Sequence, residues 1–169
     1  FMVADFDGDG KAEVICKTAP GTKDGTGKLL STGSAASDDD AKDYRSSTGF
    51  VTAGPEYLTV FSGLTGKELA TVDYVPGRDP ANGRGKTSET TNRVDRFLAG
   101  VAWIDGIKPH AIMQRGYYGR MAVTAWSWDG TTLKQQWYYN APTSGKECYG
   151  QGNHNLSIAD VDGDGKDEI

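Results

Sequence analysis

Two stretches of this sequence carry the same arrangement of acids, D-x-D-G-D-G-x-x-E, and its chemistry is that of a loop for a hard cation. The first copy offers Asp5, Asp7, Asp9 and Glu13, with the backbone carbonyl of Lys11 between them. The second offers Asp160, Asp162, Asp164 and Glu168, with the carbonyl of Lys166. Calcium takes about six to eight oxygen ligands in a loosely fixed geometry, whereas magnesium demands a strict octahedron and keeps its waters, so Ca2+ is the expected ion. Carboxylates at alternate positions of a tight turn converge, and the glycines let the chain curl around them. The opening resembles an EF-hand loop, but the acid falls at position nine and Cys16 stands at position twelve, with β-prone segments on either side. The expected object is a calcium loop inside a β-hairpin. Doubling of the motif argues against the alternative, an acidic glycine turn without metal.

The elements that must hold these loops repeat. Residues 1–19, 98–118 and 156–169 each show a short apolar run, a turn rich in Asp and Gly, and a second β-prone run. The middle copy has Asp105-Gly106-Ile107-Lys108-Pro109-His110 at its turn, and one carboxylate beside a lysine cannot hold calcium. Metal is therefore expected to stabilise particular hairpins, with the fold itself not requiring it. A second kind of hairpin, residues 57–75 and 121–139, alternates apolar and polar residues about a glycine turn. Paired in order, the hairpins predict an all-β protein of two four-stranded antiparallel sheets and the opening of a third. A four-stranded sheet repeated in series is the unit of a β-propeller, which closes with typically about four to eight blades. A sandwich built from the same hairpins stays open as the other architecture. The expectation is a sector of about two and a fraction blades: one over 1–75, a long loop over 76–96, a second blade over 97–140 and the start of a third over 153–169. The connections 20–56 and 76–96 are either walls of a cleft on one face or surface insertions.

The bulk numbers suit this. The chain has 169 residues, long enough for one ordinary domain, and 23 glycines and 10% aromatic residues favour short strands and many turns. A net charge of −5 with both signs scattered leaves no basic stripe for nucleic acid, and no run is long enough to span a membrane as a helix. Cys16 and Cys148 either pair in an oxidising compartment or are two buried thiols; their apolar and aromatic surroundings favour the thiols. The chain begins Phe1-Met2-Val3 inside what reads as a strand and ends Asp167-Glu168-Ile169 where another starts, so both ends are expected to be cuts. A sector alone would expose sheet edges and apolar faces, and is expected to aggregate without its neighbours.

The stretches FMVADFDGDGKAEVICKTAPGTKDG, GPEYLTVFSGLTGKELATVDYVP, NRVDRFLAGVAWIDG and YGQGNHNLSIADVDGDGKDEI together resemble the bacterial β-propeller rhamnogalacturonan lyases. The likeness spans nearly the whole chain, with residues 31–45 and 78–92 more divergent. It implies an eight-bladed, secreted propeller with many calcium ions that cleaves rhamnose–galacturonate linkages of the pectin backbone by β-elimination. It also implies a polysaccharide partner and packing against the remaining blades of the same chain; from charge and hydropathy, neither a nucleic acid nor a membrane is an expected partner. In the family the histidine of GNHN is associated with the cleft and its calcium, which makes His154 the candidate catalytic residue; the other reading is a loop histidine held by backbone hydrogen bonds.

Elimination removes a proton alpha to a uronate carboxylate, so it needs a cation on that carboxylate and a base nearby. Arg115, Tyr117 and Tyr118, with Arg120, group cations and aromatics as a sugar-acid site does; packing between blades is the competing account. Arg93, Arg96 and Lys17 are further cations near strand ends. Asn155-Leu156-Ser157 fits a glycosylation sequon but is a poor acceptor beside a metal loop. The expected function is thus part of a calcium-dependent rhamnogalacturonan lyase, without a complete active site of its own. The alternative is a non-catalytic calcium propeller for carbohydrate binding or adhesion. A glycoside hydrolase would need a metal-free carboxylate pair, for which Asp38, Asp39, Asp40, Asp43 and Glu56 have no evident placement.

Overall fold

In a computed structural model, residues 1–78, 94–141, 147–152 and 154–169 are described. Arg93 and most of the 76–96 connection lie outside them, as does Asn153. The four hairpins outlined by alternation form eight strands: β1 (Met2–Ala4), β2 (Glu13–Thr18), β3 (Tyr57–Ser62), β4 (Glu68–Asp73), β5 (Phe97–Ala102), β6 (His110–Arg115), β7 (Met121–Trp128) and β8 (Leu133–Ala141). They make two antiparallel sheets in simple sequence order, β1-β2-β3-β4 and β5-β6-β7-β8. The third copy of the repeat, over residues 156–169, is joined among the described residues by a single antiparallel bridge, Ala159 to Glu168. Among the described residues no helix is long and apolar enough to cross a membrane.

The two sheets face each other, β1 against β5 and β4 against β8. Between them lies one apolar core, with Met2, Ile15, Leu58 and Val60 from the first sheet and Ala111, Met113, Trp126 and Trp128 from the second. Alternation along β6 explains why all six of its residues are buried. Ala111, Met113 and Arg115 point toward the first sheet, whereas Ile112 lies on the other face, where Leu156 and Ile158 pack. Gly100 leaves room there, because a Cβ would sit 2.4 Å from the Ile158 Cδ1 and push that side chain aside.

The first sheet is covered on its outer face by the 20–56 connection. Leu30 and Ala35 pack with Tyr57 and Phe61, and the short 3-10 turn Gly33–Ser37 rests on β4. The Glu68 carboxylate ties this segment down by accepting from the backbone N–H groups of Ser31 and Thr32 and from the Thr71 hydroxyl. This connection is thus, in good part, a packed cover. Both cysteines are free thiols, half-buried, and burial pushes the Cys16 thiol up.

Candidate functional site: two acidic loops and a cation–aromatic surface

A meander of antiparallel strands sorts its turns by end. The β1–β2, β3–β4, β5–β6 and β7–β8 turns lie at one end of the sheets, and the β2–β3 connection and the β6–β7 turn at the other. Both acidic loops are at the first end. The Asp7 carboxylate sits 3.1 Å from where a Cβ on Gly130, in the β7–β8 turn, would stand. The second loop docks on the β5–β6 turn, where Trp103 N–H donates to Asp167 at 2.7 Å and Asp167 N–H donates to the Trp103 carbonyl at 3.1 Å.

Within each loop the same bonds recur. Asp5 accepts from Gly8 and Gly10 N–H at 2.8 and 2.9 Å, and Asp160 accepts from Gly163 and Gly165 N–H at 2.7 and 2.9 Å. Glu13 accepts from Phe6 N–H at 3.1 Å, as Glu168 does from Val161 N–H at 3.0 Å. Gly8, Gly10, Gly163 and Gly165 all hold a left-handed φ of 81–87°, which lets the chain wrap around its own carboxylates. The outcome is two triads, Asp5–Asp7–Glu13 and Asp160–Asp162–Glu168, each with one oxygen per residue within 4.8 Å of the others. Ligands about 2.5 Å from a common calcium cannot be more than about 5 Å apart, so both triads fit such an ion.

Asp9 and Asp164 stand differently. Each accepts from a lysine ammonium two residues on, Lys11 at 2.9 Å and Lys166 at 3.1 Å, which holds both carboxyls below the usual range. Of the four acids expected as ligands in each loop, three converge, and the fourth pairs with an exposed lysine ammonium. Burial pushes the Glu13 carboxyl up, and the charges of Asp7, Asp9 and Asp5 add to that against the lowering effect of the Phe6 N–H. In the middle hairpin Asp105 spends its carboxylate on Ile107 and Lys108 N–H.

The other end is cationic and aromatic. The rings of Tyr117 and Tyr118 lie 4.1 Å apart, and His154 joins them at 5.1 and 4.9 Å between centroids. The Arg96 guanidinium stacks 4.3 Å above Tyr117. The structure thus brings together His154, Tyr117, Tyr118 and Arg96, all of them singled out in the sequence. Tyr118 is half exposed at a left-handed φ of 56°; such a backbone is strained in a tyrosine and held only by its surroundings.

Arg115 is elsewhere, 1% exposed in the interface between the sheets. Its guanidinium donates to both oxygens of Glu56, at 2.6 and 3.1 Å, and to the carbonyls of Val94 and Pro76. Glu56 also receives Arg78 at 2.9 Å and Lys17 at 3.1 Å, while Asp95 pairs with Arg78 at 2.7 Å and Arg115 at 3.3 Å. This network is what sequence reading missed: Glu56 and Arg115 are 59 residues apart and no motif links them. Arg120 is buried too, donating to the Gly77 carbonyl, Asn140 and the Tyr138 hydroxyl. The other carboxylates weighed for a hydrolase also have partners within the chain: Asp38 accepts from Tyr57, Asp39 from Ala41 N–H, Asp40 from Gly21 N–H and Asp43 from Arg45.

Burial pushes the Glu56 carboxyl up, but the hydrogen bonds and charge of Arg115, with the charges of Lys17 and Arg78, outweigh it and hold it below the ordinary 4.5. A depressed carboxylate stabilises the fold above its unfolded value and loses that contribution as pH falls through its folded value. Unfolding stability should therefore drop on acidification below about pH 4.5, and a Glu56→Gln variant, followed by denaturant midpoints across that range, should lose part of the slope. An unchanged slope would show that Glu56 titrates alike in the folded and unfolded chains.

Comparison with known proteins gives consistent matches. The family described as rhamnogalacturonan lyase family 11, C-terminal domain, matches residues 1–169. The chain is 54% identical over 170 residues to rhamnogalacturonan endolyase YesW and 49% identical over 174 residues to rhamnogalacturonan exolyase YesX, both of Bacillus subtilis (strain 168). All of the chain is covered in each, and 26% of each relative. Crystal structures of YesX and YesW superpose with TM-scores of 0.81 over 99% of the chain, at 48% and 54% identity, covering 26% and 27% of those chains. A rhamnogalacturonan lyase of Bacillus licheniformis superposes equally, TM-score 0.81 at 50% identity, covering 98% of the chain and 27% of that lyase. The chain thus spans about a quarter of the length of the relatives it matches.

Proposed function

The chain belongs to rhamnogalacturonan lyase family 11, and from that premise we propose that it forms part of a secreted, calcium-dependent lyase that cleaves rhamnogalacturonan by β-elimination. The observation that carries the reading is the match along all 169 residues to an endolyase and an exolyase of the same polymer.

In this reading the two sheets are neighbouring blades of a propeller. Support comes from their identical strand order, the facing of β1 on β5 and β4 on β8, and the packing of Leu156 and Ile158 on the far face of the second sheet. Trp137 and Tyr139, paired in register with Ala125 and Val123, lie on that same face and are partly exposed, which suits contact with further blades of the same protein.

Calcium bound by Asp5, Asp7 and Glu13 and by Asp160, Asp162 and Glu168 would supply positive charge that neutralises each triad and closes its hairpin. The substrate face is the opposite end, where Arg96, Tyr117, Tyr118 and His154 meet. There the tyrosine rings give flat surfaces for pyranose faces, Arg96 supplies positive charge for a uronate carboxylate, and the His154 imidazole can hold or accept a proton. Residues contributed by the rest of the protein complete the site.

The test uses the full-length protein on rhamnogalacturonan, following absorbance of the unsaturated uronate product with and without a calcium chelator. Growth of absorbance that chelation abolishes and calcium restores is expected, with a lower rate in a His154→Ala variant. Pectin binding without any absorbance change would instead make this a non-catalytic carbohydrate-binding propeller.

A further inference from the structure

A carboxylate buried among three cations is a costly way to join two sheets, because well-packed apolar groups serve as well. Glu56 is such a carboxylate, 5% exposed, with Lys17, Arg78 and Arg115 around it. We infer that Glu56 is a positioning residue for the Tyr117–Tyr118–His154 surface, acting through Arg115; the inference rests on the reading of that surface as the substrate face.

The mechanical link is short. Arg115 is the last residue of β6, and the turn that carries both tyrosines leaves directly from it. The turn is pinned at its far side by Arg120, through the Gly77 carbonyl, Asn140 and Tyr138. Between these two buried guanidiniums the backbone has little choice: Gly116 has φ 114°, and a Cβ there would lie 1.8 Å from the Arg120 carbonyl oxygen. The second support of Tyr117 is Arg96, stacked on its ring, and Arg96 follows Asp95, which the same Arg78 and Arg115 hold. Glu56 touches neither tyrosine in the contacts described, yet both supports of Tyr117 pass through groups that it or its partners fix.

The charges point to the kinetic consequence. Lys17, Arg78, Arg115 and Arg120 stand in or beside this network against Glu56 and Asp95, so cations outnumber carboxylates. Removing the Glu56 charge leaves the cations that attract a polyuronate in place and, in the folded protein, disturbs the placement of the rings against His154. The loss should therefore fall on the chemical step.

The experiment is initial-rate kinetics of the calcium-loaded, full-length protein on rhamnogalacturonan, with Glu56→Gln and His154→Ala in parallel and activity normalised to folded protein. Glu56→Gln is expected to lower kcat about tenfold with KM changed less than about twofold. Should Glu56→Gln fail to fold, Arg115→Lys takes its place; it keeps the charge but cannot make the two-pronged bond, and the same split is expected. An unchanged kcat with only a lower melting temperature would overturn the inference and leave a plain structural bridge. A rise in KM at constant kcat would overturn it as well. Full activity in His154→Ala would sink the underlying reading of the surface, and this inference with it, whereas a His154 effect beside a silent Glu56→Gln sinks the inference alone.

Discussion

An Arg115→Met variant should lose about 3–5 kcal/mol of stability across the interface between the sheets, among the largest effects expected of any single substitution here. Methionine keeps much of the volume and removes the charge. What remains is Glu56, still buried between the sheets, with Arg78 and Lys17 as its cations but without the two short bonds at 2.6 and 3.1 Å. The carbonyls of Val94 and Pro76 lose their donor at the same time, and buried acceptors without partners add to the cost. Native-state hydrogen exchange at the amides of β3 and β6 is the suitable measurement, since it reads local opening at the interface itself. The double variant with Glu56→Gln should cost less than the sum of the two single changes, because each removes the same pair. Additive losses would show that Arg115 stabilises chiefly through the carbonyls.

Loss of the proposed calcium should be comparably costly. An ion at about a thousand times its dissociation constant stabilises the folded state by about 4 kcal/mol per site, and two triads of the required chemistry are present. Chelation should therefore lower the melting temperature markedly, and Glu13→Gln should make the protein less responsive to chelator while leaving the Asp160 loop to respond. The pH dependence has a definite sign. Without metal the Glu13 carboxyl is raised by burial and by its acidic neighbours, so its contribution is full below its unfolded value and is lost as pH rises through the folded one. Metal requires the deprotonated carboxylates and cancels that loss. The gap in melting temperature between calcium-loaded and chelated protein should accordingly widen from about pH 4.5 toward neutrality. A gap that is constant with pH, or no response to chelator, would make both triads acidic turns without a stabilising ion.

The acidic loops and the hairpins around them could be read from the sequence because every group involved is local. Asp5 binds the N–H of residues three and five ahead, and alternation in the β-prone runs marks a buried face whatever lies against it. Locality also explains what the pattern could not distinguish. Asp9 belongs to the motif as plainly as Asp7, and what spacing alone does not show is that its exposed carboxylate pairs with the neighbouring Lys11 ammonium. Arg115, Tyr117 and Tyr118 read as one group because they are adjacent, but a strand end sends neighbouring side chains to different surroundings. Arg115 turns into the interface while the tyrosines turn out to His154.

An all-β chain of serial hairpins, the two places where carboxylates gather and the hairpin that does without them were legible along the chain, since propensity, turn chemistry and spacing act over a few residues. The place of Glu56 among Lys17, Arg78 and Arg115, and the meeting of Arg96 and His154 at the same tyrosine, came with folding in three dimensions. Those partners come from separate strand ends, and nothing brings them together until the apolar faces of the two sheets close and buried charge must find its counterpart.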